Sequence, residues 1–268
     1  MNEEMLKEYY NKFNEDKRLN SRHGIVEFNT SIKYILEYLK QFNNPKILDL
    51  GAGTGKYSIY LNNLGYDVTA VELVKHNLKY ITMNNPSIKA FLGNALDLSK
   101  FKDNSFDFII MFGPMYHLTK KDDQVKALNE VKRILTKDGI IFVCYYMNDY
   151  AIIKHGFIDG FINEKINDID KDFHIKNKES ELYAYYRLED IDSLNKELGF
   201  KRINIFTQDL LTDYFRKDIN KMDEETFNLY MDYVYSVSNK KELIGIGSHI
   251  VDIIKKDCKW SGGCSPFS

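Results

Sequence analysis

The sequence predicts an α/β fold: a doubly wound, mainly parallel seven-stranded sheet with an antiparallel last strand and helical lid insertions. The first observation is the stretch 46–72, in which a short apolar run, three alternating glycines, a helical pattern and a second apolar run follow one another and end at Glu72. The second is that strand-like and helix-like segments alternate from there to residue 146. The third is a late apolar segment, 250–254, placed where an antiparallel last strand would complete the sheet; a helix there is the competing prediction.

The remaining elements follow from hydrophobic periodicity. Residues Phe28 to Leu39 have helical spacing and should cover one face of the sheet. The nearly all-apolar run 106–112 is typical of a strand that is buried on both faces of a parallel sheet. A helix is predicted from Tyr57 to Leu64 with Tyr60 and Leu61 on the same face, and Asp138-Gly139 is predicted to turn the chain into the fifth strand. Further predicted strands are 88–92, 140–146, 183–186 and 202–206, and further helices are 77–82, 121–136, 188–198 and one capped by Asp223.

The stretch with three alternating glycines is the predicted ligand-binding site. Gly51, Gly53 and Gly55 let the backbone turn sharply and let a ligand contact bare peptide groups. The helix that starts near Gly55 directs its free N–H groups and positive dipole end at an anion. Glu72, at the tip of the second strand, is placed to accept hydrogen bonds from two ribose hydroxyls. A ligand with a ribose and a negatively charged group is therefore predicted.

Two phosphate-binding patterns fit poorly. A dinucleotide fingerprint would need glycine at position 56, where Lys56 stands. A phosphate-binding P-loop would need glycine and a hydroxyl residue where Leu50 and Tyr57 stand. Both patterns are disfavoured.

The motif Asp49-x-Gly51-x-Gly53-x-Gly55 followed by Glu72 resembles the first two motifs of the class I (Rossmann-like) S-adenosylmethionine-dependent methyltransferases. The resemblance implies S-adenosylmethionine as cofactor and S-adenosylhomocysteine as product. It implies that the glycine turn receives the methionyl carboxylate and that the acid holds the ribose. The cofactor-binding residues implied in this stretch are Asp49, Gly51, Ala52, Gly53, Thr54, Gly55, Glu72 and Leu73.

The resemblance extends to about residue 146. Asn94 stands where many relatives have an aspartate that accepts a hydrogen bond from the adenine amino group, and its amide oxygen could accept the same bond. Backbone groups of Ala95 and Leu96 would then meet the adenine edge. The alternative is a turn-forming asparagine after a strand. Phe112 and Gly113 complete the implied cofactor pocket.

The segment after the fourth strand, Gly113-Pro114-Met115-Tyr116-His117, resembles a bacterial subset whose acceptors are mostly small molecules. It does not resemble the Asn/Asp-Pro-Pro-aromatic motif of enzymes that methylate amino groups of bases or glutamine. His117 is interpreted as the only histidine at a strand tip on the ligand side, where it would serve as a general base or hold the loop through a backbone hydrogen bond. Tyr116 would stack on cofactor or acceptor, or belong to the core. No metal site is predicted.

Residues 1–257 are predicted to form a single methyltransferase domain, and the glycine- and serine-rich tail Cys258–Ser268 to be disordered. In this family an aromatic-rich N-terminal segment often folds over the site, so residues 1–25, with Tyr9, Tyr10 and Phe13, are a candidate lid. A surface helix is the alternative. The irregular segments 148–180 and 208–240 are candidate lid and substrate insertions.

The composition of the chain limits the classes of binding partner that are expected. The 268 residues carry a net charge of −2, so no global basic field attracts nucleic acid. No signal peptide opens the sequence and no apolar run reaches the ~20 residues that span a bilayer, and the three cysteines fit a reducing cytoplasm. The predicted function is methyl transfer to a small-molecule acceptor by in-line displacement. The alternatives are an RNA or protein methyltransferase, a non-catalytic S-adenosylmethionine-binding protein and, less favoured, a nicotinamide dehydrogenase.

Overall fold

A computed structural model of the chain describes residues 3–12 and 21–257. Its centre is a seven-stranded sheet with the order β3-β2-β1-β4-β5-β7-β6. β7 is antiparallel to both of its neighbours, and the other six strands are parallel to one another. The strands are β1 Lys46–Leu50, β2 Asp67–Glu72, β3 Lys89–Leu92, β4 Phe106–Met111, β5 Leu135–Tyr146, β6 Phe200–Thr207 and β7 His249–Lys256.

Helices cover both faces of this sheet, as a doubly wound fold requires. On one face, apolar residues of the helices near residues 28–39 and 57–61 pack on the strands. On the other face, the helices near residues 127–134 and 191–198 do so. The helices are α1 Glu3–Lys12, α2 Arg22–Leu39, α3 Lys56–Asn63, α4 Lys75–Asn84, α5 Lys121–Ile134, α6 Asn148–Ala151, α7 Ile162–Lys165, α8 Leu188–Leu198, α9 Arg216–Ile219 and α10 Glu224–Val237.

The predicted fold class is confirmed. The late apolar segment forms the antiparallel strand β7, so the competing helix prediction for residues 250–254 is wrong. This strand lies between β5 and β6 and its apolar residues are buried on both sides, which explains why the segment shows no alternation. α8 ends at Gly199, which has a left-handed conformation, and Asp223 caps α10, both as predicted.

Two predictions, in β5 and α3, are wrong. Asp138-Gly139 lies inside β5 and not in a turn before it, because β5 already pairs with β4 at Leu135; residues 136–139 then stand opposite Asp107 alone and interrupt the ladder. In α3, Tyr57 and Leu61 are buried as predicted, but Tyr60 and Leu64 are exposed. α3 is a short helix that rests on one face of the sheet, so only a narrow stripe of its surface is covered.

The insertion after β5 is more ordered than predicted. Residues 148–180 contain α6, a π-helix from Ile152 to Ile158, α7 and a 3₁₀ turn from Ile166 to Asp168. The predicted strand 183–186 is wrong, because this segment joins Met147 through a single bridge at Tyr186. No helix within residues 3–12 and 21–257 is long and apolar enough to cross a membrane. The predicted tail Cys258–Ser268 lies outside the described residues.

Candidate active site

A cavity opens at the carboxyl edge of the sheet, beyond the tips of β1, β2, β3 and β4. This edge is where open α/β sheets bind their ligands. Eight of the predicted cofactor residues line it. They are Gly51, Gly53, Glu72, Leu73, Asn94, Ala95, Phe112 and Gly113.

The glycine turn forms the floor of this cavity. Gly51 has a φ of +78°, and a Cβ atom built on it would lie 2.7 Å from Cδ of Pro114. At Gly55, where φ is +82°, a Cβ atom would lie 2.6 Å from Cγ1 of Ile81. Only glycine meets both the conformational and the spatial requirement at these two positions. The cavity thus presents bare backbone on its floor.

The two acids of the motif have different surroundings. Asp49 is buried beneath the turn and accepts a hydrogen bond of 2.5 Å from the Ser58 hydroxyl in α3. Glu72 faces the cavity and accepts hydrogen bonds of 2.8 Å from the backbone N–H groups of Gly53 and Val74. Glu72 therefore connects the glycine turn to the end of β2. Asp49, Ala52, Thr54, Gly55 and Leu96 do not line the cavity, although the sequence predicts them as cofactor residues.

Asn94 has the hydrogen bonds of a turn-forming residue. Its side-chain oxygen accepts from the backbone N–H of Leu96 at 3.0 Å. Its amide nitrogen donates to the carboxylate of Glu3, in α1. The oxygen keeps a second lone pair, so the predicted adenine contact stays a prediction.

The N-terminal helix lies across the mouth of the cavity. Leu6 and Tyr10 of α1 belong to the lining, and the Tyr10 hydroxyl is 2.8 Å from Nε2 of His117. The Tyr9 hydroxyl accepts a hydrogen bond of 3.1 Å from the Tyr183 hydroxyl. α1 is thus attached to the tips of β3 and β4 and to the insertion. Phe13 lies outside the described residues.

His117 is buried and has hydrogen bonds on both ring nitrogens. Nδ1 is 2.9 Å from the carbonyl oxygen of Leu182, and a carbonyl can only accept, so Nδ1 carries the proton. Nε2 then accepts from the Tyr10 hydroxyl. Burial lowers the pKa of His117 to about 4, so the ring is neutral at pH 7. The structure thus places His117 where it holds the loop, which is one of its two predicted roles, while its role as a base stays a prediction.

Aromatic rings form the wall beyond His117. The Tyr116 ring centroid is 4.8 Å from that of His117 and 6.3 Å from that of Tyr183. On its far side it is 5.7 Å from His249 and 6.5 Å from Tyr146. The space beside Tyr116 is thus bounded by aromatic rings.

His249 corrects the prediction that His117 is the only histidine at this edge. It begins β7 opposite Tyr146, at the end of β5, because the last strand runs antiparallel and brings its first residue to the carboxyl edge. Its ring stacks on that of Tyr146 with centroids 5.0 Å apart, and Nδ1 is 3.2 Å from the Asp209 carboxylate. Burial alone would lower the pKa of His249, but the hydrogen bond and charge of Asp209 outweigh it and the pKa is raised.

Comparison with known proteins agrees with this geometry. A family model described as a methyltransferase domain matches residues 48–143. An uncharacterized protein of Methanocaldococcus jannaschii is 30% identical over 175 residues, which cover 63% of this chain and 73% of that protein. Residues 48–143 are thus a methyltransferase domain, and with the sheet order and the site they make the chain a class I S-adenosylmethionine-dependent methyltransferase. Its cofactor is therefore S-adenosylmethionine and its product S-adenosylhomocysteine.

Two further methyltransferases are similar over part or most of the chain. The glycine/sarcosine N-methyltransferase of Aphanothece halophytica is 26% identical over 130 residues, which cover 47% of this chain and 49% of that enzyme. The crystal structure of an S-adenosylmethionine-dependent methyltransferase from Methanosarcina mazei superposes with a TM-score of 0.56 at 19% identity. The superposition covers 84% of this chain and 97% of the Methanosarcina mazei chain, and it supports the methyltransferase fold.

Sequence reasoning missed several residues of the cavity. Leu6, Val74 and Asn77 line it, and Tyr183 contacts Tyr9 and the lining residue His117 from outside. In α1, Leu6, Tyr9 and Tyr10 stand at helical spacing, which could have indicated one inward face. For Tyr183, no short-range pattern indicates the contact, because its partners are distant in sequence.

The buried state of His117 predicts a pH dependence of stability. Its pKa is about 4 in the folded protein against an ordinary value of 6.5, so between these values the unfolded chain binds more protons. The stabilisation is complete above pH 6.5 and is lost as the pH falls toward 4. We expect the free energy of unfolding to fall by about 2 kcal/mol from pH 7.5 to 5 through this residue.

Urea denaturation at the two pH values measures this effect. In His117→Gln the difference between the two pH values should shrink by that amount. His76→Gln, at an exposed position of α4, is the matched control and should keep the wild-type difference. An undiminished difference in His117→Gln would contradict the assignment.

The position of Glu72 predicts a defined loss of cofactor affinity. Glu72→Ala should weaken S-adenosylmethionine binding by ~1–3 kcal/mol, because charge-assisted hydrogen bonds are lost. Glu72→Gln keeps one acceptor oxygen and should lose less. Asp67→Ala, at the exposed opposite end of β2, is the control, and calorimetric dissociation constants provide the comparison. Equal constants for Glu72→Ala and Asp67→Ala would disprove the ribose assignment.

Proposed function

We propose that the enzyme transfers the methyl group of S-adenosylmethionine to a small-molecule acceptor by in-line displacement. The observation that carries the proposal is the cover over the cavity: α1 lies across its mouth and contacts Asn94, His117 and Tyr183. An acceptor must fit beneath this cover, which favours a small molecule over a folded RNA or protein. The net charge of −2 also disfavours RNA.

The residues present fit the cofactor. The backbone at Gly51 and Gly53 is free of side chains where the methionyl carboxylate would lie, with Ala52, Thr54 and Gly55 completing the turn and Asp49 supporting it from below. Glu72 would accept from the ribose hydroxyls and Leu73 would pack beside them. The adenine would meet Asn94, Ala95 and Leu96, while Phe112 and Gly113 would border the reacting end.

The protein's own contribution is placement and exclusion of water. When bound, S-adenosylmethionine supplies a methyl group already activated by the positive charge of its sulfur. The aromatic wall at Tyr116 would orient the acceptor, and α1 would keep bulk water out. His117 would hold α1 and the loop at Leu182 in place through its two hydrogen bonds. A general base would raise the rate by ~10²–10⁴-fold where the methyl acceptor must lose a proton.

We also propose a single domain with a lid and two insertions. Residues 1–257 would form one methyltransferase domain, in which residues 1–25 act as the lid. The insertions 148–180 and 208–240 would shape the acceptor side. Tyr183, three residues after the first insertion, contacts His117 at the cavity, whereas α10 of the second packs near Val26, at the start of α2.

Transfer of a labelled methyl group tests the proposal. The protein is incubated with methyl-tritiated S-adenosylmethionine and a cell extract, and the products are divided by ultrafiltration into small molecules and macromolecules. We expect label in a new small-molecule product, and none with Gly51→Val, whose side chain would collide with Pro114. Label in the RNA or protein fraction would contradict the small-molecule proposal. Label in neither would favour a non-catalytic binding protein.

A further inference from the structure

A second, partly open cavity lies in the part of the chain that follows β5. The π-helix Ile152–Ile158, α7 and the segment 175–185 line it. Much of its lining is apolar or aromatic. This part includes Ala151, Ile152, Phe161, Ile162, Ile169 and Tyr185. The packing of the sheet does not depend on this cavity, and concave, mainly apolar cavities are the usual binding sites of small molecules.

The charged groups at the rim of this cavity are paired within the protein. Lys165 and Glu181 form an ion pair of 3.3 Å, and Asp168 is bound by Lys178. Lys176 donates to the backbone carbonyl of Asn167 at 3.2 Å. His155 lies 3.1 Å from both the Tyr146 hydroxyl and the Asp159 carboxylate. The lining thus carries two lysines, Lys165 and Lys176, against two carboxylates, Asp168 and Glu181, and it offers no excess charge to hold a charged ligand.

The linings of the two cavities meet where two rings, Tyr183 and His117, are in contact. Tyr183 belongs to the lining of the second cavity, and its ring centroid lies 5.2 Å from that of His117, which lines the first. The Tyr183 hydroxyl is attached to Tyr9 of α1, so a movement of that helix also releases this ring. A molecule seated in the second cavity could thus extend past Tyr183 to the edge of the cofactor cavity.

We propose that the second cavity binds the non-reacting part of the methyl acceptor, and that this part is uncharged and mainly apolar, such as an aromatic ring or a short hydrocarbon chain. The inference rests on the proposed function. The nucleophilic end of the acceptor would lie beside Tyr116, and its apolar body beneath Ile152 and Phe161. A compact zwitterion would gain little from such a cavity.

Binding of a neutral fluorescent probe tests the inference without knowledge of the acceptor. N-phenyl-1-naphthylamine is uncharged and brightens in apolar surroundings, and its sulfonated analogue 1-anilinonaphthalene-8-sulfonate supplies a charged comparison of similar shape. With S-adenosylhomocysteine present, the full-length protein should bind the neutral probe saturably. It should bind the sulfonated probe about tenfold more weakly or worse.

Two pairs of variants locate the probe. Ala151→Phe fills the cavity, and Ile153→Phe, two residues away at a half-exposed position outside the lining, is its control. Phe161→Ala removes a half-exposed ring from the wall, and Phe157→Ala removes an equally exposed ring outside it. The first member of each pair should weaken the neutral probe by about tenfold, and the second should not change it.

Calorimetry with S-adenosylhomocysteine on the same variants separates this inference from the proposed function. Unchanged cofactor affinity in all four variants, together with the paired losses of probe affinity, supports the second cavity as an apolar subsite. Equal probe affinity in Phe161→Ala and Phe157→Ala would overturn it, as would equal binding of the two probes. Because Phe161 is half-exposed, its removal keeps the test valid even if Ala151→Phe fails to fold. Failure of S-adenosylhomocysteine to bind the wild-type protein would instead count against the proposed function.

Discussion

The close approach of Gly51 to Pro114 is the constraint on which the site depends. It brings the tips of β1 and β4 together with no side chain between them, and a single methyl group there would collide with the proline ring. Glu72 then joins the tip of β2 to the same turn through the Gly53 N–H group. Three neighbouring strands of a parallel sheet thus end at one rim, which lines the cavity.

His117 has the corresponding role on the other side of the cavity. Its neutral ring joins three segments that are far apart in sequence: the tip after β4, the loop at Leu182 and α1. Burial makes this arrangement sensitive to acid, since a protonated imidazole could no longer accept from Tyr10. Protonation of His117 would therefore break its contact with α1 over the same pH range in which it destabilises the fold. His249 differs, because the neighbouring Asp209 favours its protonated form.

The parts of the fold that could be predicted from the sequence are those encoded by local patterns. The glycine turn, its flanking strands and Glu72 lie within 27 residues and each has a direct stereochemical reason, so both the fold class and the cavity floor were predictable. The same holds for the cap at Asp223 and the helix end at Gly199. Buried strands such as β4 were recognisable from nearly all-apolar runs.

Contacts between distant segments could not be predicted in this way. The Tyr10–His117 hydrogen bond spans 107 residues, and nothing in either local sequence selects the other. His249 reaches the ligand edge only because β7 runs antiparallel to β5, which is a property of the completed sheet. The insertion after β5 contains a π-helix, whose spacing differs from the 3.6-residue period used to recognise helices, so it looked irregular. For the same reason the second cavity had no signature in the sequence.

Titration calorimetry of the purified protein with three ligands tests most directly whether the cavity at the carboxyl edge of the sheet binds S-adenosylmethionine. We expect binding of S-adenosylmethionine and S-adenosylhomocysteine with dissociation constants on the order of micromolar, and no binding of NAD. Binding of NAD in place of the other two would contradict it, because the glycine turn and Glu72 would then serve a dinucleotide.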